Sequence, residues 1–525
     1  MRRLLCLLLL TLAMPVQAEQ VLRRGNGGDV EGLDPHRIES VSASDVVRDL
    51  YEGLLRDGPD GRPEPGVATR WEVLDEGLRY RFHLRADARW SNGDPVTAAD
   101  FVAGLRRSVD PATGSNYSQM LSPLRNADAV IAGAKPPEAL GAIAVDEHTL
   151  DIVLRAPTPY LLGLLTHSSA SPVHRPTVAA WGKDFARAGR MVSNGAYRLH
   201  DWVLQSHIEL ERNAYYWDDA ATSIDRVFYL STEDIDSEFK RYRAGELDIT
   251  YTLPSSQSAW VRTHLQDELR IHPYLGVYYY GLNLARPPLR DNPKLRLALA
   301  LAVDRDIITG KVLGNGEVPA YTWVPPGVEG HRSAVPEWAH WTREQRLDRA
   351  RALYAEAGFG PDNPAEVEIL YNTQEDHRKI ATVIAAMWKQ WLGAKATLRN
   401  QEWKVYLQTR RLGVDTQVYR AGWIGDYNDP NTFMEILHSG HGLNDVGYDN
   451  PAFDALLDDA SREIDPVRRA HLMHQAEAMI IDDLPVLPLY FYVTKHLVKP
   501  WVKGWVGNIM DRHPTRMLSV EGRPQ

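Results

Sequence analysis

Two histidine pairs, His438 with His441 and His471 with His474, have spacings that could hold a metal ion. Neither pair is accompanied by an obvious third ligand, and loosely spaced histidines are common on surfaces. Other catalytic patterns are missing. There is no G-x-S-x-G elbow, no H-E-x-x-H, no P-loop and no complete G-x-G-x-x-G; Gly25-Asn26-Gly27-Gly28 and Gly314-Asn315-Gly316 are glycine-rich turns without the downstream glycine. The single cysteine, Cys6, rules out a thiolate metal site. The residues nominate no enzyme, no cofactor and no metal centre.

The first eighteen residues set the address. Arg2 and Arg3 precede an apolar run from Leu4 to about Ala13, and Val16-Gln17-Ala18 supplies small residues where a signal peptidase cuts. The expectation is a cleaved secretory signal, a periplasmic mature chain and no membrane insertion, because the apolar run is far short of the ~20 residues that span a bilayer. Cys6 would leave with the signal, so the mature chain would fold on core size alone, without a disulfide. The net charge of −10 becomes more negative once Arg2 and Arg3 are gone, which argues against nucleic acid or an anionic membrane as partner. Fifteen Trp and twenty-three Tyr against nine Phe favour rings with a polar handle, which suit a wet cavity or an interface.

Strand and helix patterns then alternate along the chain. Leu78 to Leu84 alternates in period two, Trp90-Ser91-Asn92-Gly93-Asp94-Pro95 is a turn, and Thr97-Ala98-Ala99-Asp100 is a capping box opening a helix. Asp291 or Asn292 with Pro293 starts a helix whose apolar run is Leu295 to Val303, Arg343 to Ala357 is a helix stopped by Gly358, and Ile380 to Leu392 is another stopped by Gly393. Val203 to Leu210, Val367 to Leu370 and Ala396 to Leu398 read as strands. The class is α/β with α+β portions, and the length suggests about three domains.

The segment Arg79-Tyr80-Arg81-Phe82-His83-Leu84-Arg85, followed by Trp90-Ser91-Asn92-Gly93-Asp94-Pro95-Val96-Thr97-Ala98-Ala99-Asp100-Phe101, resembles the signature of the peptide-binding family of bacterial extracellular solute-binding proteins, family 5, which serve ABC importers. Leu33-Asp34-Pro35-His36, Asn194-Gly195-Ala196-Tyr197, Asp304-Arg305-Asp306 and Leu497-Val498-Lys499-Pro500-Trp501 extend the resemblance over essentially the whole mature chain. The resemblance implies a two-lobe periplasmic-binding-protein fold with an extra inserted domain and ligand enclosed between the lobes. Carried onto this chain, residues 1–18 are the signal peptide, 19–51 with 176–276 and 494–525 the first lobe, 52–175 the inserted domain, and 277–493 the second lobe. The implied partners are a peptide ligand and an inner-membrane ABC permease complex, with the receptor acting as a monomer.

Site residues follow from the same resemblance. Within Arg420-Ala421-Gly422-Trp423-Ile424-Gly425-Asp426-Tyr427-Asn428-Asp429-Pro430, Asp426 matches the aspartate that pairs with the peptide's α-ammonium, a role that needs a charged, hydrogen-bonded partner to offset lost hydration. The alternative is an Asx turn. Trp403, Trp423 and Tyr117 match pocket walls; Ile424 and Gly425 flank the aspartate; Arg410, Arg420 and His377 match cations that meet the peptide carboxylate; Glu39 and Val41 fall where the peptide lies as an added strand.

Three departures set the chain apart from the family's oligopeptide binders. Leu313 stands where they carry a lysine, Gly281 where they carry a glutamate, and Gly276 with Ile424 where they carry a cysteine pair. The first two leave open a narrower receptor for murein peptides or another peptide-like compound. A secreted metal-dependent hydrolase using the histidine pairs is the alternative of another class.

Overall fold

The computed structural model describes residues 19–524, apart from the side chains of Trp403 and Lys404. The signal segment, with Cys6 and the Ala18 cleavage site, lies outside the described residues. Among the described residues no helix is long and apolar enough to cross a membrane.

Three sheets position the site. In one, Val21–Gly25 runs parallel to Arg226–Leu230, which continues antiparallel into His207–Arg212 and Tyr197–Val203. A second is wholly antiparallel, ordered Ala68–Leu74, Arg79–Leu84, Thr149–Val153, Ala142–Ala144. The third is mixed and six-stranded, ordered Val318–Pro319, Val486–Leu497, Leu269–Leu282, Val418–Ile424, Glu366–Asn372, Lys395–Gln401. The fold is α/β with antiparallel portions, as expected from the sequence.

The central strands of the six-stranded sheet are buried on both faces, which explains their apolar sequences, while the edge strand Lys395–Gln401 is largely exposed. Along Leu269–Leu282, Tyr278, Tyr280 and Leu282 enter one cluster with Leu299, Ile380 and Trp388, while Leu275, Val277 and Tyr279 enter another with Trp323, Phe433 and Met473. Full burial of a side chain such as Phe433 contributes roughly 1.5–3 kcal/mol. The apolar run Val486 to Val493 lies within a central strand of this sheet, and its proline is accommodated by a break in register. The ladder is irregular between Tyr278 and Tyr279, where Pro488 stands opposite Tyr279, and the Pro488 carbonyl accepts from Arg305 Nε at 2.9 Å.

The strands Leu269–Leu282 and Val486–Leu497 are long enough to pass from one sheet region to the other. Their pairing is interrupted once more: Pro273 faces Val493 and Val277 faces Phe491, so Tyr274, Leu275 and Gly276 stand opposite Tyr492 alone. Backbone bonds made outside the pair hold this bulge, since Leu275 N–H donates to Ile509 O and Gly425 N–H donates to Leu275 O, both at 2.8 Å.

Most local expectations hold. Arg79–Leu84 alternates in burial, Gly93 adopts a φ of +91°, and Thr97 N–H donates to the Asp100 carboxylate at 2.9 Å at the start of the helix Ala98–Val109. Two differ. Val203 to Leu210 is not one strand: the chain reverses between Tyr197–Val203 and His207–Arg212, with Gln205 at φ +57°, a left-handed turn that no Asn or Gly announces. The helix Glu375–Leu392 starts five residues before Ile380, because Gln374 caps it by accepting from His377 N–H at 2.9 Å and its first turn is charged, so apolar periodicity begins later than the helix does.

Candidate functional site

The strand Val418–Ile424 delivers the chain to Gly425 and Asp426. Gly425 packs so closely on Leu275 and Thr432 that a side chain there would collide with both. Asp426 is tethered through its backbone: its N–H donates to Thr432 Oγ1 at 3.3 Å and its carbonyl accepts from Arg512 Nη2 at 2.7 Å. Arg512 in turn donates to Asp57 at 2.6 Å and to Thr166 at 2.9 Å, so residues remote in sequence aim the loop.

No donor among the described residues bonds the Asp426 carboxylate. Burial pushes its pKa up to about 7, against the pull of the Arg512 guanidinium. Burial together with the negative Asp426 pushes the nearby Glu435 up to about 8, so at neutral pH Glu435 stays protonated and the charge of the pair sits on Asp426. The turn chemistry belongs to Asp429, not Asp426. Asp429 accepts from Asn431 N–H at 2.9 Å and forms a bidentate pair with Arg469, both arms 2.8 Å. A half-buried carboxylate without a bonding partner is costly alone and is suited to a cation from outside.

Tyr117 lies near the carboxylates of Asp426, Glu39 and Glu31. Burial and the negative charges of Asp426, Glu39 and Glu31 raise the Tyr117 phenol. The Tyr117 ring lies 5.1 Å from His167, and the neighbouring Asn116 donates to the Glu39 carboxylate. Glu39 lies in a loop and Val41 is the first residue of the helix Val41–Leu50; Glu31 ties the loop to the helix by accepting from Ser40 N–H at 2.8 Å. Val41 and Ile424 both line a cavity of about 360 Å³, with Tyr274, Tyr492 and His496 on its wall. On the other side of the Asp426 loop, a cavity of about 420 Å³ is lined by Tyr160, Tyr427, Arg469 and Arg512, with Tyr160 and Tyr427 stacked at 5.3 Å.

The three expected cations separate. Arg420 meets only neutral groups: Asn372 at 3.4 Å, the Tyr492 hydroxyl at 3.2 Å and the face of Tyr278 at 4.8 Å, and its buried Nε has no hydrogen-bond partner. Arg410 is already paired, with Asp445 at 2.7 Å. His377 is not a cation at neutral pH, contrary to the expectation. Burial and the adjacent Arg420 hold its pKa at about 3, and its Nδ1 lies 3.2 Å from the Tyr278 hydroxyl.

Trp423 is partly exposed with a buried, unpartnered Nε1; the Trp403 side chain lies outside what the structure describes. Gly276 and Ile424, read as the replaced cysteine pair, are cross-strand partners, and the Ile424 side chain fills the space a Cβ on Gly276 would need. Gly281 likewise lies under the ring of its partner Tyr419. Leu313 is buried in the apolar cluster with Tyr278 and Tyr490 and leaves no polar gap. Neither expected histidine pair belongs to a three-ligand group among the described residues. Residues the sequence reading missed are Glu31, Glu435 and Arg512; Arg512 is 86 positions from Asp426, and no local pattern could have announced it.

The model for bacterial extracellular solute-binding proteins, family 5, middle region, matches residues 62–445. The periplasmic oligopeptide-binding protein of Salmonella typhimurium is 43% identical over 492 residues, 93% of this chain and 90% of that protein. The solved Escherichia coli murein tripeptide binding protein superposes with a TM-score of 0.86 at 36% identity, covering 97% of this chain and 99% of that one. The Haemophilus influenzae oligopeptide-binding protein in complex with the peptide RPPGFSPFR superposes with a TM-score of 0.84 at 38% identity, covering 96% and 100%.

Proposed function

The chain belongs to family 5 of the bacterial extracellular solute-binding proteins, and from that membership we propose that it is a periplasmic receptor that binds oligopeptides and delivers them to an inner-membrane ABC transporter. The observation that carries the reading is the Asp426 carboxylate, half-buried, unbonded and held near its ionisation point by burial. A peptide α-ammonium supplies the missing partner. Tyr117 and Trp423 flank the ligand, Glu39 and Val41 offer main-chain groups to its backbone, and Arg420 receives its carboxylate. Main-chain and terminal recognition leaves side chains to wet pockets, which suits a receptor of broad specificity.

In this reading the first lobe comprises 19–51, 176–276 and 494–525, the inserted domain 52–175 and the second lobe 277–493. The segregation of the three sheets supports that division. The chain is exported, cleaved after Ala18 and works as a monomer without catalysis. A narrower receptor for murein peptides is the second reading, favoured by the close superposition on the murein tripeptide binder.

Mass spectrometry of the ligands carried through native purification tests the proposal. A mixture of unmodified peptides supports the broad receptor and a single class carrying diaminopimelate the narrow one. Recovery of non-peptide compounds alone overturns both.

A further inference from the structure

One cluster on the cavity wall has no part in the recognition just described. His496, near the end of the strand Val486–Leu497, points its Nε2 at the Asp511 carboxylate, 3.0 Å from each oxygen. His513 Nε2 reaches the same Asp511 Oδ1, also at 3.0 Å. One ligand atom from each residue lies within 4.8 Å of the others, and all three residues line the cavity of about 360 Å³. No other such group of three occurs among the described residues.

The second atoms of the rings are fixed. His496 Nδ1 lies 2.9 Å from the Thr250 carbonyl, an acceptor only, so Nδ1 carries a proton and Nε2 of the neutral ring presents its lone pair to a carboxylate. Lone pairs facing each other at that distance are bridged by a proton or by a metal ion, and either one fits between these two groups. The His513 ring is held by Trp505, stacked at 3.7 Å, and its backbone carbonyl by Arg24 Nη1 at 2.9 Å. Ligand atoms 3.0 Å apart around an ion bonded at about 2.1 Å subtend roughly 90°, which holds for each histidine nitrogen against Asp511 Oδ1. Arg24 opposes an added cation, and Asp45 on the same wall offsets it.

We propose that His496, Asp511 and His513 form a binding site for a divalent first-row transition-metal ion such as zinc or nickel, with its open coordination positions facing the cleft. Two imidazoles and one carboxylate select such ions over magnesium or calcium, which prefer oxygen donors. The carbonyl of Thr250 supplies the outer hydrogen bond that orients a metal-bound histidine.

The test uses untagged mature protein, stripped with chelator and freed of ligand, titrated calorimetrically with zinc chloride and nickel chloride. The expected result is one ion per chain, with His496→Gln and His513→Gln each weakening binding at least tenfold and the His438→Gln/His441→Gln double variant unchanged. Because the glutamine variants could disturb folding, X-ray absorption of the zinc-loaded wild type is the second measurement, and it should show two imidazole nitrogens. No binding by the wild type, or an unaltered affinity in the His496→Gln/His513→Gln double variant, overturns the proposal and leaves the cluster holding a proton only.

Discussion

Arg512 grips Asp426 by its backbone carbonyl at 2.7 Å and leaves the carboxylate itself unbonded. The loop is thereby positioned without consuming the charge it carries. In the proposed role this is preorganisation: the ordering of the carboxylate is complete before ligand arrives.

Asp426→Ala should weaken binding of a good peptide by about 3–5 kcal/mol, because the ligand ammonium is then buried without a partner. That is roughly two to three and a half orders of magnitude in Kd. Calorimetry with a peptide and its N-acetylated form checks this; equal affinity of the two forms for the wild type would remove Asp426 from the ammonium role.

Peptide affinity should rise with pH up to about 7 and then level off. Burial holds Asp426 at about 7 in the empty cleft, the ammonium binds only its ionised form, and binding therefore expels a proton below that pH. The fall below it approaches tenfold per pH unit. Asp426→Asn should flatten this profile, whereas Glu435→Gln, replacing a group already neutral at pH 7, should leave its midpoint in place. A profile that persists in Asp426→Asn would assign the titration elsewhere.

Arg420 should recognise the peptide carboxylate and His377 should not. Wild type is expected to prefer a free peptide acid over its C-terminal amide, and Arg420→Met to lose about 1.5–3 kcal/mol of that preference. His377→Gln should keep it, since the ring is neutral. The reverse ranking in paired titrations would show that Arg420 is structural.

Leu313→Lys should lower stability by about 2–5 kcal/mol, because it removes apolar contacts from a packed cluster and puts an ammonium in their place. Denaturant unfolding reads this directly. An unchanged midpoint with an altered peptide-length profile would instead place position 313 at the ligand.

What the sequence made legible was local. The strand, turn and capped helix from Arg79 through Val109 could be read because each signal lies within a few residues of what it specifies. The candidate role of Asp426 came only from family resemblance, since its own neighbourhood reads equally as a turn, and the turn role falls to Asp429. The charge state of His377 was not legible, because it depends on burial and on Arg420, which lies beyond the end of its helix. The grouping of His496 with Asp511 and His513 was hidden for the same reason: the long strand and the following loop meet only in three dimensions.

The break in pairing at Tyr274, Leu275 and Gly276 opposite Tyr492 works as a fulcrum. The ladder is irregular again between Tyr278 and Tyr279, so bending between the lobes would concentrate along this short stretch where rungs are missing. Gly276 sits there with Ile424 and Tyr492 pressed against its hydrogen, leaving no room for a side chain. A residue of any size at 276 would act as a wedge between Ile424 and Tyr492, changing how far the two halves swing and pressing on the wall of the ligand cavity as well. Swing and affinity would therefore shift together, through one position that has no side chain of its own.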